Sequence, residues 1–157
     1  MVQFSRPFIF LILLLVASCA PVPPPGALNG PLPPQPAGTA RLIFYRAVTY
    51  YGAMQWRMVY LNGTPAGMSQ PGAVFYRDVA PGRYDLTIQT DRYYPNQFKT
   101  VVARAGETFY VNIDTLPRTA CNKGGGSLDC SADAFILTVV DPTRGFAAIQ
   151  GLRLISG

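Results

Sequence analysis

Residues 82–89 read GRYDLTIQ, a stretch whose apolar side chains recur at every second position. Tyr84, Leu86 and Ile88 alternate with polar neighbours. A period of two places the apolar side chains on one face of a β-strand and the polar ones on the other. The stretch follows Ala80-Pro81-Gly82, a typical turn sequence. We therefore predict a strand with one buried face here.

The same period extends outward in both directions along the chain. Phe109, Val111 and Ile113 alternate with Thr108, Tyr110 and Asn112, and Leu42, Phe44 and Val48 alternate with Arg41, Ile43 and Tyr45. Further β-rich stretches bounded by turn residues are 56–61, 73–79, 98–103 and 135–140. Each of these predicts a strand. The tyrosines inside the strands, which we expect to pack in the core or across strands, are Tyr45, Tyr60, Tyr76, Tyr84 and Tyr110.

Turn residues separate these strands at close spacing. Asn62-Gly63 is a strong hairpin signal, and Ala105-Gly106-Glu107 joins two strand candidates. The chain has 15 glycines, 15 prolines and no long amphipathic pattern. Residues 41–157 therefore predict one all-β domain, a single antiparallel β-sandwich of about seven or eight strands, with a small barrel as the alternative. The stretch 145–155 (GFAAIQGLRLI) fits a last strand or a short helix equally well.

The N-terminus is typical of an exported protein. Arg6 precedes the apolar run FIFLILLLVA at residues 8–17, which suits a signal peptide and is short for a membrane span. The run ends in Leu15-Val16-Ala17-Ser18-Cys19, which resembles the lipobox of bacterial lipoproteins. The resemblance implies a signal peptide at 1–18, lipid (palmitate among the acyl chains) on Cys19 and attachment to a membrane. Ala20 implies the outer membrane, periplasmic face; an ordinary signal peptide with an incidental Cys19 is the alternative.

Residues 19–40 join the lipidated cysteine to the domain. From 20 to 40 they read APVPPPGALNGPLPPQPAGTA, with no charged residue. Such a stretch cannot bury a core, so we expect an extended polyproline-like tether that holds the domain several nanometres from the bilayer. A proline-rich ligand for a recognition domain is the alternative.

Two cysteines remain once Cys19 is assigned to lipid. An even pair in an exported chain predicts a disulfide, Cys121 to Cys130, which staples the glycine-rich loop between them. Zinc would need further ligands that the sequence does not supply. Lys123 precedes the three glycines of this loop, opposite to the order in a phosphate loop.

The sequence carries no catalytic constellation. It has no histidine, and its eight acidic residues are spread over turns and strand ends, so we expect no enzyme, metal or cofactor. A calcium site at Asp129 and Asp133 lacks the spacing of a calcium loop. The net charge is +5, but the basic residues are scattered singly, which argues against nucleic-acid binding.

Aromatic pairs mark two predicted loops. Tyr50 and Tyr51 follow the first strand, and Tyr93 and Tyr94 precede a proline. Aromatics clustered in loops can form a binding platform, and the alternative is that they cap the ends of the core. The platform hypothesis requires both loops to lie at one end of the sandwich with exposed rings.

The order of short motifs supplies a family resemblance. R-x-x-F-Y-R at 41–46, L-N-G at 61–63 and P-G-x-Y at 81–84 resemble bacterial lipoprotein domains of unknown function. The domain is also similar to PEGA-type and carboxypeptidase-regulatory-like sandwiches, which implies a fold and no catalytic residues. We predict a membrane-anchored, non-catalytic binding or structural domain at the cell envelope, with an envelope protein or glycan as partner. The alternatives are a carboxylate-dependent envelope hydrolase and an accessory subunit of a larger envelope complex.

Overall fold

A computed structural model of the chain describes Leu28 and residues 31–90, 97–116 and 134–157. These residues form nine strands and one helix. The elements are β1 (Ala40–Arg46), β2 (Arg57–Leu61), β3 (Thr64–Ser69), β4 (Ala73–Val79), β5 (Gly82–Ile88), β6 (Phe98–Ala103), β7 (Thr108–Leu116), β8 (Ala134–Val140), α1 (Pro142–Ile149) and β9 (Arg153–Leu154). In the described part of the chain no helix is long and apolar enough to cross a membrane.

The strands form two sheets, which confirms the predicted β-sandwich. Sheet A has the strand order β8-β7-β1-β4-β9, and sheet B has the order β3-β2-β5-β6. Most neighbours are antiparallel, but β1 pairs with β7 and β4 pairs with β9 in parallel. These two parallel pairs are a difference from the purely antiparallel sandwich that the sequence predicts.

The main core lies between the two sheets. The predicted burial of one face holds for β5, where Leu86 and Ile88 are buried; on β7 Val111 and Ile113 are buried here, but Tyr110 is buried on the opposite face as well. The rings of Phe44 and Phe75, which face each other across β1 and β4, stack with their centroids 5.1 Å apart. The fully buried core side chains each contribute about 1.5 to 3 kcal/mol through burial alone.

A second core covers the outer face of sheet A, so the prediction that β1 buries one face is wrong. All seven residues of β1 are buried. Ile43 and Tyr45 point away from the main core and pack with Val74, Tyr110 and Ile149. Helix α1 covers them, and so does the segment before β1. Val48, which the sequence assigned to the buried face, lies beyond the end of β1 and is 76% exposed.

The sequence fits either a strand or a short helix over residues 145–155. The structure has both, the end of α1 and then β9. Asp141 caps α1, because its carboxylate accepts hydrogen bonds from the backbone N–H groups of Thr143 (2.9 Å) and Arg144 (3.4 Å). Gly145 faces the sheet, and a Cβ there would overlap the ring of Tyr110. The absence of a side chain at this position lets the helix approach the sheet closely.

Much of the predicted tether is bound to the domain. We call Leu28 and residues 31–39 the strap. The backbone N–H of Leu28 donates to the carbonyl of Leu152 (2.8 Å), and the Arg41 guanidinium donates to the carbonyls of Pro33 and Pro34. Leu28 and Leu32 also pack against the second core. The prediction of an extended spacer therefore does not hold for the strap, because Leu28 and Leu32, which stand between the prolines, pack on sheet A.

Sheet B contains a strand that the sequence did not reveal. Asn62 and Gly63 both have positive φ (49° and 79°), the geometry of a type I′ hairpin, as the Asn-Gly signal predicts. The hairpin leads into β3, an edge strand that contains Pro65 and Gly67. Proline is tolerated at a sheet edge, and a Cβ at Gly67 would lie 2.6 Å from the ring of Phe75.

Candidate binding surface

The connection between β1 and β2 exposes an unusual amount of apolar surface. We call residues 47–56 the aromatic loop. Half of the ten large exposed apolar side chains in the described part of the chain belong to it. Their exposed fractions are Val48 76%, Tyr50 91%, Tyr51 45%, Met54 94% and Trp56 61%. Tyr50 and Tyr51 pack edge to face, with centroids 5.5 Å apart. These aromatic rings are therefore not caps on the sandwich core.

A buried arginine fixes the backbone of this loop. Arg46, at the end of β1, is 1% exposed and donates to the carbonyls of Gly52 (2.6 Å) and Gln55 (2.7 Å). Its guanidinium also lies 4.7 Å from the ring centroid of Phe135 in β8. A turn closes the loop, since the N–H of Gln55 donates to the Gly52 carbonyl (2.9 Å). The loop backbone is thus held from inside while its side chains point outward.

Gly52 is the residue that permits this arrangement. Its φ is +66°, which disfavours any side chain, and a Cβ would lie 2.7 Å from the Arg46 guanidinium and 2.8 Å from Thr115. Sequence reasoning missed both Arg46 and Gly52 as parts of the site. Neither the R-x-x-F-Y-R motif nor the spacing between Arg46 and Gly52 indicates that this arginine turns inward.

Tyr93 and Tyr94, the other two tyrosines of the hypothetical binding platform, lie outside the described residues. The strands before and after them, β5 and β6, are described. The N–H of Gln89, just after β5, donates to the carbonyl of Met58, near the start of β2 (2.7 Å). The side chain of Gln97 bonds to Thr90 (2.9 Å), which joins the two sides of the gap. The β5–β6 connection therefore starts and ends at the same end of the sandwich as the aromatic loop.

A second candidate surface is a groove on the outer face of sheet A. Its volume is about 400 Å³, and Leu32, Tyr110 and Phe146 supply much of its apolar lining. Arg41 reaches it but is already bound, because it makes two hydrogen bonds to Asp78 (2.7 and 2.8 Å) and stacks 4.3 Å from the centroid of Tyr76. The hydrogen bonds to Asp78 raise the pKa of Arg41, although burial opposes this. Arg41 therefore holds the strap and the sheet together.

The other motif residues also serve the structure. The Asn62 side chain of L-N-G accepts a hydrogen bond from the N–H of Asp85 (2.8 Å), which connects the hairpin to β5. The Tyr84 hydroxyl of P-G-x-Y donates to the carbonyl of Ala80 (2.8 Å), so it closes the turn between the two sheets. This contact resembles the tyrosine corner of other sandwiches.

The described acidic residues are each engaged locally. Asp78 pairs with Arg41, Glu107 with Arg104 (3.2 Å), and Asp85 accepts from the hydroxyl of Thr100 (2.6 Å). Asp114 accepts from the amide of Asn112 (2.8 Å), and Asp141 caps α1. Among the residues that the structure describes, no three cysteine or acidic side chains come close enough to hold a metal ion. Cys19, Cys121 and Cys130 lie outside those residues.

Comparison with known proteins identifies one family. Neither the curated proteins nor the solved structures contain a match. A family model matches residues 36–126, which include β1 through β7 and end before β8. This match accounts for the predicted domain of unknown function, while the similarity to PEGA-type and carboxypeptidase-regulatory-like sandwiches stays a prediction. Because the matched region is more than half of the chain, the protein belongs to the family described as protein of unknown function (DUF2846).

Proposed function

We propose that the protein is a lipid-anchored, non-catalytic β-sandwich module of the bacterial cell envelope, with the aromatic loop as its binding surface. The anchor rests on the sequence: an apolar leader at residues 8–17 runs directly into a lipobox-like Leu15–Cys19 stretch. The palmitate on Cys19 and the outer-membrane location are parts of the same proposal.

The observation that supports the binding role is a contrast in burial: Arg46 is buried, whereas the side chains of the loop that it holds are exposed. Here the arginine fixes the backbone of residues that expose two tyrosines, a methionine and a tryptophan. Large apolar side chains grouped on a surface mark sites of interaction, and a rigid backbone reduces the entropy that is lost on binding.

The non-catalytic role is supported by how the described carboxylates are used. Each of Asp78, Asp85 and Glu107 bonds to a nearby cation or hydroxyl, and Asp141 caps the N-terminus of α1. General acid–base catalysis needs a carboxyl group presented to a substrate. The described carboxyl groups instead stabilise the sandwich.

Lipidation can be tested by metabolic labelling with palmitate in the bacterial host. The wild-type protein should incorporate label and fractionate with the outer membrane, and Cys19→Ala should do neither. Cys130→Ser is the matched control, because it also replaces a cysteine but leaves the lipobox intact. Label in Cys19→Ala, or none in the wild type, would overturn the lipid anchor.

The role of the loop can be separated from folding. Tyr50→Ala and Met54→Ala remove exposed side chains, so each should shift the Tm by no more than about 2 to 4 °C. Recovery of material crosslinked to the loop in intact envelopes should fall in both variants. Crosslinking that is unchanged, or a much larger fall in Tm, would contradict a binding role for these side chains.

A further inference from the structure

We propose that the aromatic loop docks into the interfacial layer of the same bilayer that holds the lipid on Cys19. The inference rests on the proposed lipid anchor and adds a partner for the loop: a phospholipid surface, met by Tyr50, Tyr51, Met54 and Trp56. Three independent features of the molecule carry it, namely where the strap leaves the domain, how little chain separates it from Cys19, and the chemistry of the loop.

The strap leaves the domain beside the aromatic loop. Leu28 is bonded to Leu152, and the next residue, Arg153, donates its N–H to the carbonyl of Gly72 (3.0 Å). Val48 of the aromatic loop packs on the same glycine, since a Cβ on Gly72 would lie 2.8 Å from the Val48 methyl group. From this end the strap runs along sheet A to the other end of β1, where Arg41 binds Pro33 and Pro34. The chain toward Cys19 therefore emerges at the loop end.

Little chain is left between that point and the anchor. Residues 20–27 separate Cys19 from Leu28. Even fully extended, a segment of this length spans only about 30 Å. Because the acyl chains keep Cys19 at the membrane surface, the loop end of the domain stays within that distance of the headgroups. The bound strap thus presents one end of the sandwich to the bilayer.

The composition of the loop suits the boundary between headgroups and acyl chains. Tyrosine and tryptophan prefer this layer because each has an apolar ring and a polar group that can remain hydrated. Residues 47–56 (AVTYYGAMQW) contain no charged side chain, which would have to be dehydrated on insertion. Arg153 is exposed near Gly72; its guanidinium donates to the Gln70 side chain (2.8 Å) and has further N–H groups that can bind lipid phosphates.

A protein partner would explain the exposed rings but not their position. The loop and the chain toward the anchor occupy the same end of the domain, and a membrane is the partner that this arrangement brings within reach of the loop. The backbone held by Arg46 also lets Tyr50 and Met54 enter the layer with little ordering of the main chain.

Trp56 offers a direct test because it is the only tryptophan in the chain. The lipidated protein would be reconstituted in phosphatidylcholine vesicles, with and without bromine on the acyl chains. If the loop docks, bromine should quench Trp56, and plain vesicles should shift its emission to the blue and protect it from acrylamide. Emission and acrylamide quenching that match those in detergent-free buffer, with no effect of bromine, would overturn the inference.

Variants then assign the effect to the loop. The double variant Tyr50→Ser/Met54→Ser should lose most of the bromine quenching, although it still sediments with the vesicles through its lipid. Val102→Ser is the matched control, because Val102 is 59% exposed near the opposite end of the sandwich and should leave the quenching unchanged. Equal quenching in both variants would contradict the proposal.

The outcomes also separate the two proposals. Protein that takes no palmitate and does not sediment with vesicles refutes the lipid anchor. If the protein is lipidated and sediments with vesicles, but bromine does not quench Trp56, the lipid anchor stands and the docking is refuted. An envelope protein crosslinked at Tyr50, with Trp56 unquenched by bromine, would instead assign the loop to a protein partner.

Discussion

Arg41 and Asp78 lie opposite each other on β1 and β4 and are joined by two hydrogen bonds, Nε to Oδ1 at 2.7 Å and Nη2 to Oδ2 at 2.8 Å. The side chains are 6% and 18% exposed. The same guanidinium binds two carbonyls of the strap, so one largely buried ion pair connects the centre of sheet A to the strap.

Asp78→Asn should lower the free energy of unfolding by about 3 kcal/mol, because it leaves the Arg41 charge buried without its carboxylate. Urea denaturation measures the change. Asp85→Asn is the control: that carboxylate is 56% exposed and 3.8 Å from Arg83, so its loss should cost less than about 1 kcal/mol. Equal losses of unfolding free energy in the two variants would show that the Arg41–Asp78 pair stabilises the protein no more than an exposed pair does.

Gly52→Ala and Gly63→Ala form a matched pair, since both glycines have positive φ. A side chain at Gly63 would meet nothing within 4 Å, so only backbone strain of about 1 to 2 kcal/mol is expected. At Gly52 the new Cβ would also collide with Arg46 and Thr115, and the loss of stability should be larger. Thermal unfolding compares them; a smaller loss in Gly52→Ala would mean that Arg46 does not hold the loop as described.

Alkaline pH should destabilise the domain through two buried tyrosines. Burial, and then the charge of Asp114, raises the pKa of Tyr45; burial raises the pKa of Tyr110, and the charge of Arg41 opposes it. The unfolded chain then releases these protons first, near pH 10, whereas the folded protein retains them. The contribution of these two tyrosines to stability should therefore be constant below about pH 10 and be lost as the pH rises through their folded-state pKa values.

Tyr45→Phe and Tyr110→Phe should each make that fall shallower in chemical denaturation measured at several pH values. Tyr50→Phe, at a 91% exposed position, serves as the control and should retain the wild-type slope. A slope that none of the three variants alters would place the alkaline sensitivity elsewhere in the chain.

The disulfide between Cys121 and Cys130 stays a prediction. The mature, unreduced protein should show no free thiol to a maleimide reagent, and Cys121→Ser should lower the free energy of unfolding by about 2.5 to 3 kcal/mol through the entropy of the opened loop. Labelling of both cysteines in the unreduced wild type would refute the bridge.

Strand periodicity predicted most of the sandwich, because side chains that alternate along a strand report directly on which face is buried. It failed for β3, whose Pro65 and Gly67 have low strand propensity and whose place is fixed by the hairpin and by the ring of Phe75. It also failed for β1. There Ile43 and Tyr45 are buried by α1 and the strap, elements that are far apart in sequence and that a local pattern cannot join.

The candidate site was only partly visible in the sequence. Tyr50 and Tyr51 were singled out as loop aromatics, but their exposure depends on Arg46, whose burial arises from contacts with Gly52, Gln55 and Phe135. A charged residue at a strand end normally indicates a solvated position. No rule of composition or spacing predicts that this one turns inward, because the carbonyls that accept its hydrogen bonds exist only after the loop has folded.

The contact between Leu28 and Leu152 has a consequence for the order of folding. It joins the first described residue to one near the C-terminus, and β9 follows at once. Contacts between distant parts of a chain form late, since closing a long loop costs entropy before the contact returns any stability. We therefore expect the sandwich to assemble before the strap binds to it. The strap should bind only once the residues around Leu152 have folded, so a protein truncated before Leu152 should keep the sandwich but lose the contact with Leu28.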